Sequence, residues 1–183
     1  MKPLCVTVFG SSEPPPGHAL YEEARRVGAL LARAGCVVIN GGYGGVMEAC
    51  SLGAREAEGH VIGITVASFD GRAPNRFLVE ERREPDLYGR TRRLIEDSDA
   101  FIILAGRSGT LAELALVWAL VRSGQMPDRP VALLGREWPE LLDTLRRLDF
   151  LEPRLLTITR CTPTPEEAVA WALRAPSRRG GRS

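Results

Sequence analysis

Short apolar runs alternate along this chain with longer stretches in which apolar residues recur every three or four positions. Each short run is rich in valine, isoleucine and leucine, which is typical of a strand buried in a parallel sheet. The runs that predict strands are residues 4–9, 37–39, 61–66, 100–104 and 130–134, with residues 155–159 as a sixth candidate.

The longer stretches have the spacing of helices that bury one face. They cover residues 21–34, 46–58, 87–97, 111–122, 138–148 and 165–174. Gly35 and Gly59 follow the first two stretches at the position where a glycine commonly ends a helix. Because strands and helices alternate, right-handed crossovers must join them. We therefore predict an α/β fold, a Rossmann-like doubly wound parallel sheet in three α/β/α layers.

The length of the chain and its two least regular segments predict one domain with a tail. A chain of 183 residues supports a single hydrophobic core, so we assign residues 1–174 to one Rossmann-like nucleotide-binding domain. The basic residues 175–183 are expected to form a disordered tail. Residues 67–85 are polar and have no clear period, and for a connection of this length we expect a functional lid or a partly ordered segment.

Glycine and serine follow three of the predicted strands. Ligands bind such sheets at the carboxyl ends of the strands, so the loops are expected to share one site. The loop at residues 41–45 (GGYGG) leads into a helix, whose free N–H groups attract an anion. We predict phosphate binding there, with close packing of strand and helix as the alternative. The dinucleotide fingerprint is not matched, because the first strand is followed by GSSE (residues 10–13) and the second ends at Asn40.

The loop at residues 106–110 (GRSGT) also precedes a helix. Its amides and the hydroxyls of Ser108 and Thr110 are suited to hold a phosphate oxygen. Glu113 lies three residues after Thr110, a spacing that also matches a helix capping box. Spacing alone leaves Glu113 with either a capping or a functional role.

Composition and charge exclude several classes of partner. The net charge of +1 gives no electrostatic reason to expect nucleic acid or a membrane surface as a partner. The sequence begins with a short strand rather than a secretory leader, and no apolar stretch approaches the ~20 residues that span a bilayer. The four cysteines form no C-x-x-C pair and no histidine lies near them, so we predict no metal site, no disulfides and a cytoplasmic protein.

Three motifs occur in order along the chain. They are residues 38–49 (VINGGYGGVMEA), 86–91 (DLYGRT) and 105–113 (AGRSGTLAE). They resemble the glycine-rich motif, the M-H-x-R-K segment and the P-G-G-x-G-T-x-x-E motif of the LOG family, long labelled "lysine decarboxylase-like". The resemblance covers roughly residues 4–134.

The resemblance implies cleavage of the N-glycosidic bond of a nucleoside 5′-monophosphate, giving the free base and ribose 5-phosphate. It places Arg90 and Glu113 at the two catalytic positions and a homodimer interface at residues 111–122, which are apolar on nearly every face. The partner is thus expected to be a nucleoside monophosphate or a similar phosphorylated small molecule, with no cofactor. The binding residues implied are Gly10, Ser11, Ser12, Gly41, Gly42, Gly44, Gly45, Met47, Glu48, Gly106, Arg107, Ser108, Gly109 and Thr110.

Three positions depart from the family motifs: Thr91, Ala105 and Arg107 replace lysine, proline and glycine. Arg107 either binds phosphate through its side chain or blocks the pocket. Residues 44–49 and 111–116 also look like a sister branch that includes molybdenum-cofactor carrier proteins, which bind a phosphorylated ligand without hydrolysing it. A carrier is therefore the alternative function. A pyridoxal-phosphate decarboxylase is not expected, because Lys2 is the only lysine available for a Schiff base.

Overall fold

The computed structural model of the chain describes residues 2–67 and 71–174, and the tail expected at residues 175–183 lies outside them. In the described residues seven parallel strands form one sheet in the order β4-β3-β2-β1-β5-β6-β7. The strands are β1 (Cys5–Phe9), β2 (Val37–Asn40), β3 (His60–Val66), β4 (Glu80–Glu84), β5 (Ala100–Leu104), β6 (Val131–Leu134) and β7 (Thr159–Thr162). The predicted fold class is confirmed.

Helices cover both faces of this sheet. They are α1 (Ala19–Arg33), α2 (Val46–Glu56), α3 (Leu87–Glu96), α4 (Ser108–Arg122), α5 (Trp138–Arg147), α6 (Pro153–Ile158) and α7 (Pro165–Ala172). α1, α2 and α7 pack on one face, and α3, α4, α5 and α6 pack on the other. The two apolar layers on either side of the strands make this a three-layer α/β/α structure.

The strand order reverses between β1 and β5. β1 connects to one half of the sheet through α1, whereas the chain enters the other half at β5, which pairs with β1. The loops that follow two such strands diverge and leave a crevice at their carboxyl ends. This topological switch point therefore fixes where a ligand site lies.

Two elements differ from the sequence prediction, and the first is residues 155–159. They were predicted as a strand but lie mainly in α6, and β7 begins only at Thr159. Pro153 occupies the first turn of α6, where its missing N–H is harmless. Leu155 and Ile158 are three residues apart and both are buried, which is the spacing of a helix face.

The second difference is β4, which lies inside the segment expected to be a lid. Residues 80–84 (EERRE) have no apolar pattern, yet they pair in parallel with β3 at the edge of the sheet. Arg82 forms ion pairs with Glu80 and Asp97, so the strand is held by backbone pairing and by charges. Charged residues on an edge strand also oppose pairing with another molecule.

Two glycines let α1 and α2 approach closely. A Cβ added at Gly28 would overlap the carbonyl of Cys50, and one added at Gly53 would overlap the carbonyl of Arg25.

No helix among residues 2–67 and 71–174 is both long enough and apolar enough to cross a membrane.

Substitution of Gly53 by alanine is expected to lower the free energy of unfolding by about 1–3 kcal/mol, because the two helix backbones must move apart. The matched control is Gly109→Ala, also within a helix, where an added Cβ meets nothing within 4 Å. That substitution should be neutral or stabilise by about 0.5–1 kcal/mol. Urea unfolding measures both, and an equal effect of the two substitutions would contradict the packing account.

Candidate functional site

A pocket of about 190 Å³ opens at the switch point, at the carboxyl ends of β1, β2 and β5. An adjoining hollow of about 430 Å³ shares part of its wall, including Ser12 and Tyr43. The residues that line the pocket are Val8, Phe9, Gly10, Ser11, Ser12, Glu13, Gly41, Tyr43, Met47, Arg72, Arg90, Arg107, Gly109, Thr110 and Glu113. The three loops predicted to share a site do meet here.

Arg90 lies at the floor of the pocket and is 7% exposed. Its Nε donates to the carbonyl oxygen of Ile64 at 2.9 Å, and its Nη2 donates to that of Gly41 at 3.2 Å. Its guanidinium also lies 5.7 Å from the centre of the Tyr43 ring. Burial lowers the pKa of Arg90, while Glu113 and Tyr43 act in the opposite direction. The side chain of Arg90 is therefore a buried, fixed cation. Its neighbours Arg92 and Arg93, on the same helix, are exposed.

Glu113 on α4 faces Arg90, with 4.0 Å between Oε1 of the carboxylate and Nη1 of the guanidinium. That separation is too long for a hydrogen bond. Burial raises the pKa of Glu113 from 4.5 to about 7, and the nearby Arg90 only partly offsets this. The carboxyl group therefore titrates near neutral pH.

The capping-box alternative for Glu113 is wrong. α4 begins at Ser108, with Arg107 rather than Thr110 at the N-cap, so Thr110 is already inside the first turn. Thr110 is buried against the pocket, and within the described ranges its hydroxyl has no hydrogen-bond partner. The N–H groups of Ser108, Gly109 and Thr110 have no acceptor in their own helix. The start of α4 thus presents a set of donors toward the pocket.

The glycine loop at residues 41–45 is shaped by close contacts. A Cβ at Gly41 would overlap the Arg90 guanidinium, and one at Gly45, where φ is +66°, would overlap the Ser11 carbonyl. The N–H of Gly42 donates to the Asn40 side chain at 2.8 Å, and that of Val46 donates to the Ser11 carbonyl at 2.8 Å. At least two of the N–H groups expected to bind an anion therefore already donate hydrogen bonds to acceptors of the protein itself. Close packing thus accounts for Gly41 and Gly45, and phosphate binding by this loop stays a prediction.

Asn75 fixes the segment before β4 on that loop. Its N–H donates to the Gly42 carbonyl at 2.8 Å and its Nδ2 to the Tyr43 carbonyl at 3.1 Å. Arg72, three residues earlier, lines the pocket. Part of the segment expected to be a lid is thus bonded to the rim of the site.

Arg107 does not plug the pocket. Its side chain is 79% exposed at the rim, and its Nη1 lies 2.9 Å from Oε1 of Glu13. This ion pair joins the loop after β1 to the loop after β5. Thr91 points elsewhere, since its hydroxyl donates to the Leu87 carbonyl of its own helix.

Not every residue named from the sequence reaches the pocket wall. Those outside it are Gly42, Gly44, Gly45, Glu48, Gly106 and Ser108, although Gly44 borders the adjoining hollow. Conversely, Glu13, Tyr43 and Arg72 line the pocket and were not predicted. Glu13 and Tyr43 lie inside the loops that were singled out, so position in the loop was the available signal. Arg72 lies in residues 67–85, and the expectation of a functional lid there was its only signal.

Lys2 is remote from this site. It is exposed and precedes β1, whose amino end lies at the opposite edge of the sheet. The five residues of β1 alone span roughly 16 Å at ~3.3 Å per residue. The chain therefore offers no lysine to hold pyridoxal phosphate in the pocket.

Comparisons with known proteins point to one family. The sequence model described as the SLOG cluster4 family matches residues 3–138. An uncharacterized protein of Archaeoglobus fulgidus is 38% identical over 174 residues, which is 94% of this chain and 97% of the relative. A probable cytokinin riboside 5′-monophosphate phosphoribohydrolase of Oryza sativa subsp. japonica is 34% identical over 146 residues, 76% of this chain; the match spans 59% of that relative's length.

Among solved structures, the molybdenum cofactor binding protein from Rippkaea orientalis superimposes with a TM-score of 0.74 and 25% identity. The superposition covers 93% of this chain and 95% of that one. A molybdenum cofactor carrier protein from Chlamydomonas reinhardtii has the same TM-score at 22% identity, covering 92% and 95% of the two chains, which shows a shared fold.

The raised pKa of Glu113 predicts how its replacement by glutamine changes stability with pH. A folded-state pKa above the unfolded value means that the folded protein holds the proton more tightly, so stability falls as pH rises from 4.5 to about 7. The loss is about 1.4 kcal/mol for each pH unit in that window. Since glutamine resembles the neutral acid, Glu113→Gln should stabilise the protein at pH 8 and change little at pH 4.5.

Urea midpoints at pH 4.5 and pH 8 test this, and the control is Glu140→Gln, which makes the same chemical change at an exposed position of α5. If Glu113→Gln destabilised the protein more at pH 8 than at pH 4.5, Glu113 would instead be an ordinary ionised partner of Arg90.

Proposed function

The chain belongs to the SLOG cluster4 family, and from this premise we propose that it is a phosphoribohydrolase that cleaves the N-glycosidic bond of AMP-like nucleoside 5′-monophosphates. The resemblance to the LOG family is confirmed by this match and by relatives named cytokinin riboside 5′-monophosphate phosphoribohydrolases. The specific reaction is supported by those names and by the chemistry of the pocket.

The observation that carries the proposal is the buried Arg90–Glu113 pair beside the first turn of α4. Glycosidic cleavage passes through an oxocarbenium-like state, in which positive charge develops on the sugar. A carboxylate can stabilise that charge or take a proton from the attacking water, and a pKa near 7 suits a base that works at neutral pH. Water adds to C1′ of the ribose, and the base leaves after gaining a proton.

In this arrangement the 5′-phosphate lies at the start of α4. The N–H groups of Ser108, Gly109 and Thr110 and the Thr110 hydroxyl are its donors, and the helix dipole adds favourable charge. Gly106 permits the turn, because a Cβ there would overlap the Thr110 side chain. Arg90 keeps the carboxyl group of Glu113 partly ionised and lies close enough to polarise the leaving base.

A carrier for a phosphorylated ligand is the second candidate. It is favoured by the structural similarity to the molybdenum cofactor binding protein over nearly the full length of both chains. Such a protein would use the same anion site without turnover. Both candidates predict a phosphorylated small molecule as ligand and differ only in hydrolysis.

The decisive prediction is release of adenine from AMP. Wild-type protein should form adenine and ribose 5-phosphate, and Glu113→Gln should lower the rate about 10²–10⁴-fold, the usual contribution of a general base. Because the ionised form is active, kcat/KM should fall about tenfold for each pH unit below about 7 and level off above it. Chromatography of the free base measures both effects.

Glu140→Gln is the control and should hydrolyse AMP at the wild-type rate. Release of adenine by wild type and Glu113→Gln at the same rate would refute the catalytic assignment. Binding of AMP without any release of adenine would favour the carrier.

We also propose that the protein is a homodimer that pairs through α4. One face of α4 packs in the core through Leu114, Val117, Trp118 and Val121. The opposite face is an exposed stripe of apolar residues, namely Leu111, Ala112, Ala115, Leu116 and Ala119. The helix is therefore not buried on all sides within one chain, and an apolar stripe of this kind is typical of a protein–protein contact.

A cytoplasmic location is supported by the cysteines. All four lie in the described residues as free thiols. Burial raises the pKa of Cys50 to about 12, and it also raises the pKa values of the other three. Unreactive free thiols are characteristic of a reducing compartment.

Substitution of Leu116 by arginine is expected to convert the dimer to a monomer, because it places an unpaired charge in an apolar interface. Val79→Arg is the control, since Val79 is similarly exposed but lies before the edge strand β4. Light scattering at micromolar concentration should give a dimeric mass for wild type and Val79→Arg. A monomeric wild type would refute the interface.

A further inference from the structure

We propose that Arg107 is an additional phosphate-binding side chain and that Glu13 competes with the ligand's phosphate for it. The inference rests on the proposed function, in that a phosphate group binds at the first turn of α4. Two residues at the rim of the pocket then have opposite effects on the affinity for the phosphorylated ligand. Arg107 raises this affinity and Glu13 lowers it.

The position of Arg107 brings its charge to the phosphate site. It is the N-cap residue of α4, directly before the donors on Ser108, Gly109 and Thr110. Its guanidinium is exposed at the pocket rim and has one ion-pair partner in the described part of the chain, the Glu13 carboxylate at 2.9 Å. Because the side chain is 79% exposed, it has room to adopt other rotamers.

The second step is the weakness of the existing ion pair. The Glu13 side chain is 58% exposed and that of Arg107 is 79% exposed, and ion pairs between exposed side chains contribute little to stability. A phosphate monoester carries close to two negative charges at neutral pH and accepts two parallel hydrogen bonds from a guanidinium. The phosphate is therefore the stronger partner for Arg107.

The third step concerns Glu13 itself. Its backbone N–H donates to the Ser11 hydroxyl at 3.2 Å, which holds the residue in the loop beside the pocket. The carboxylate thus remains close to the phosphate after Arg107 is released, and like charges repel. Glu13 discriminates against ligands that lack enough charge to displace it.

The LOG motif that the chain resembles has glycine where Arg107 stands. With glycine at this position the residue can bind phosphate only through its backbone, whereas Arg107 adds a cationic side chain. This chain should accordingly depend on the phosphate charge for affinity more strongly than a backbone-only cradle does.

Calorimetric titration of AMP tests the inference, with adenosine as the ligand that lacks phosphate. All proteins carry Glu113→Gln so that hydrolysis does not disturb the titration. Arg107→Ala should weaken AMP binding about tenfold, and Glu13→Gln should tighten it about threefold to tenfold. Neither change should alter adenosine binding by more than about twofold. Arg33→Ala, at the exposed end of α1, removes the same charge far from the site and should have no effect.

The double variant separates competition from simple repulsion. If Glu13 and phosphate compete for Arg107, the gain from Glu13→Gln should shrink when Arg107 is alanine. An equal gain in both backgrounds would mean that Glu13 acts by repulsion alone, and weaker binding by Glu13→Gln would mean that it positions Arg107. Either result overturns the competition.

The outcomes also distinguish this inference from the proposed function. AMP binding that is insensitive to Arg107→Ala overturns the inference alone. Binding that depends on Arg107, in a wild type that releases no adenine, supports the inference and removes the hydrolase. No binding of AMP or inorganic phosphate removes both.

Discussion

The site depends on one buried cation. The Arg90 guanidinium joins α3 to the carbonyl groups of Ile64 on β3 and Gly41 after β2, and it faces Glu113 on α4. Because arginine stays protonated even when buried, the groups around it must accommodate its size and charge. Gly41 must lack a side chain, and the charge of Arg90 partly offsets the rise in the pKa of Glu113 that burial causes. Sheet, glycine loop and helix are therefore placed relative to one charge.

This dependence changes how the glycine-rich loop is understood. Glycines before a helix usually indicate that a ligand approaches the backbone. Here Gly41 makes room for Arg90, and Gly45 makes room for the Ser11 carbonyl. The N–H groups of Gly42 and Val46 are already occupied within the protein, whereas the first N–H groups of α4 have no acceptor in their own helix. Glycine content therefore indicated loops that border the pocket, but several of those glycines are required by packing within the protein.

The sequence predicted the buried strands well because their apolar runs report burial directly. It failed for β4, whose residues EERRE pair through the backbone and carry no apolar signal, and for α6, whose short apolar pattern fits a strand or a helix. Arg90 was named through family resemblance only. Arg90 lies four residues before the buried Leu94 and therefore on the inward face of α3, whereas Arg92 and Arg93 are exposed; this helical spacing was an available signal that the sequence analysis did not use. The placement of Glu13 at the rim depends on how two loops meet, which spacing along the chain does not encode.

The electrostatics of the pocket bear on whether it hydrolyses or only carries its ligand. A carboxylate near a bound phosphate repels it, so Glu113 weakens the binding of any phosphorylated molecule in the ground state. During glycosidic cleavage the sugar becomes positively charged, and the same carboxylate then attracts it. An interaction that is unfavourable before the reaction and favourable in the transition state lowers the barrier. Binding alone does not use this change in the sign of the interaction, whereas the proposed hydrolase gains rate from it, and this asymmetry is the physical reason to propose hydrolysis first.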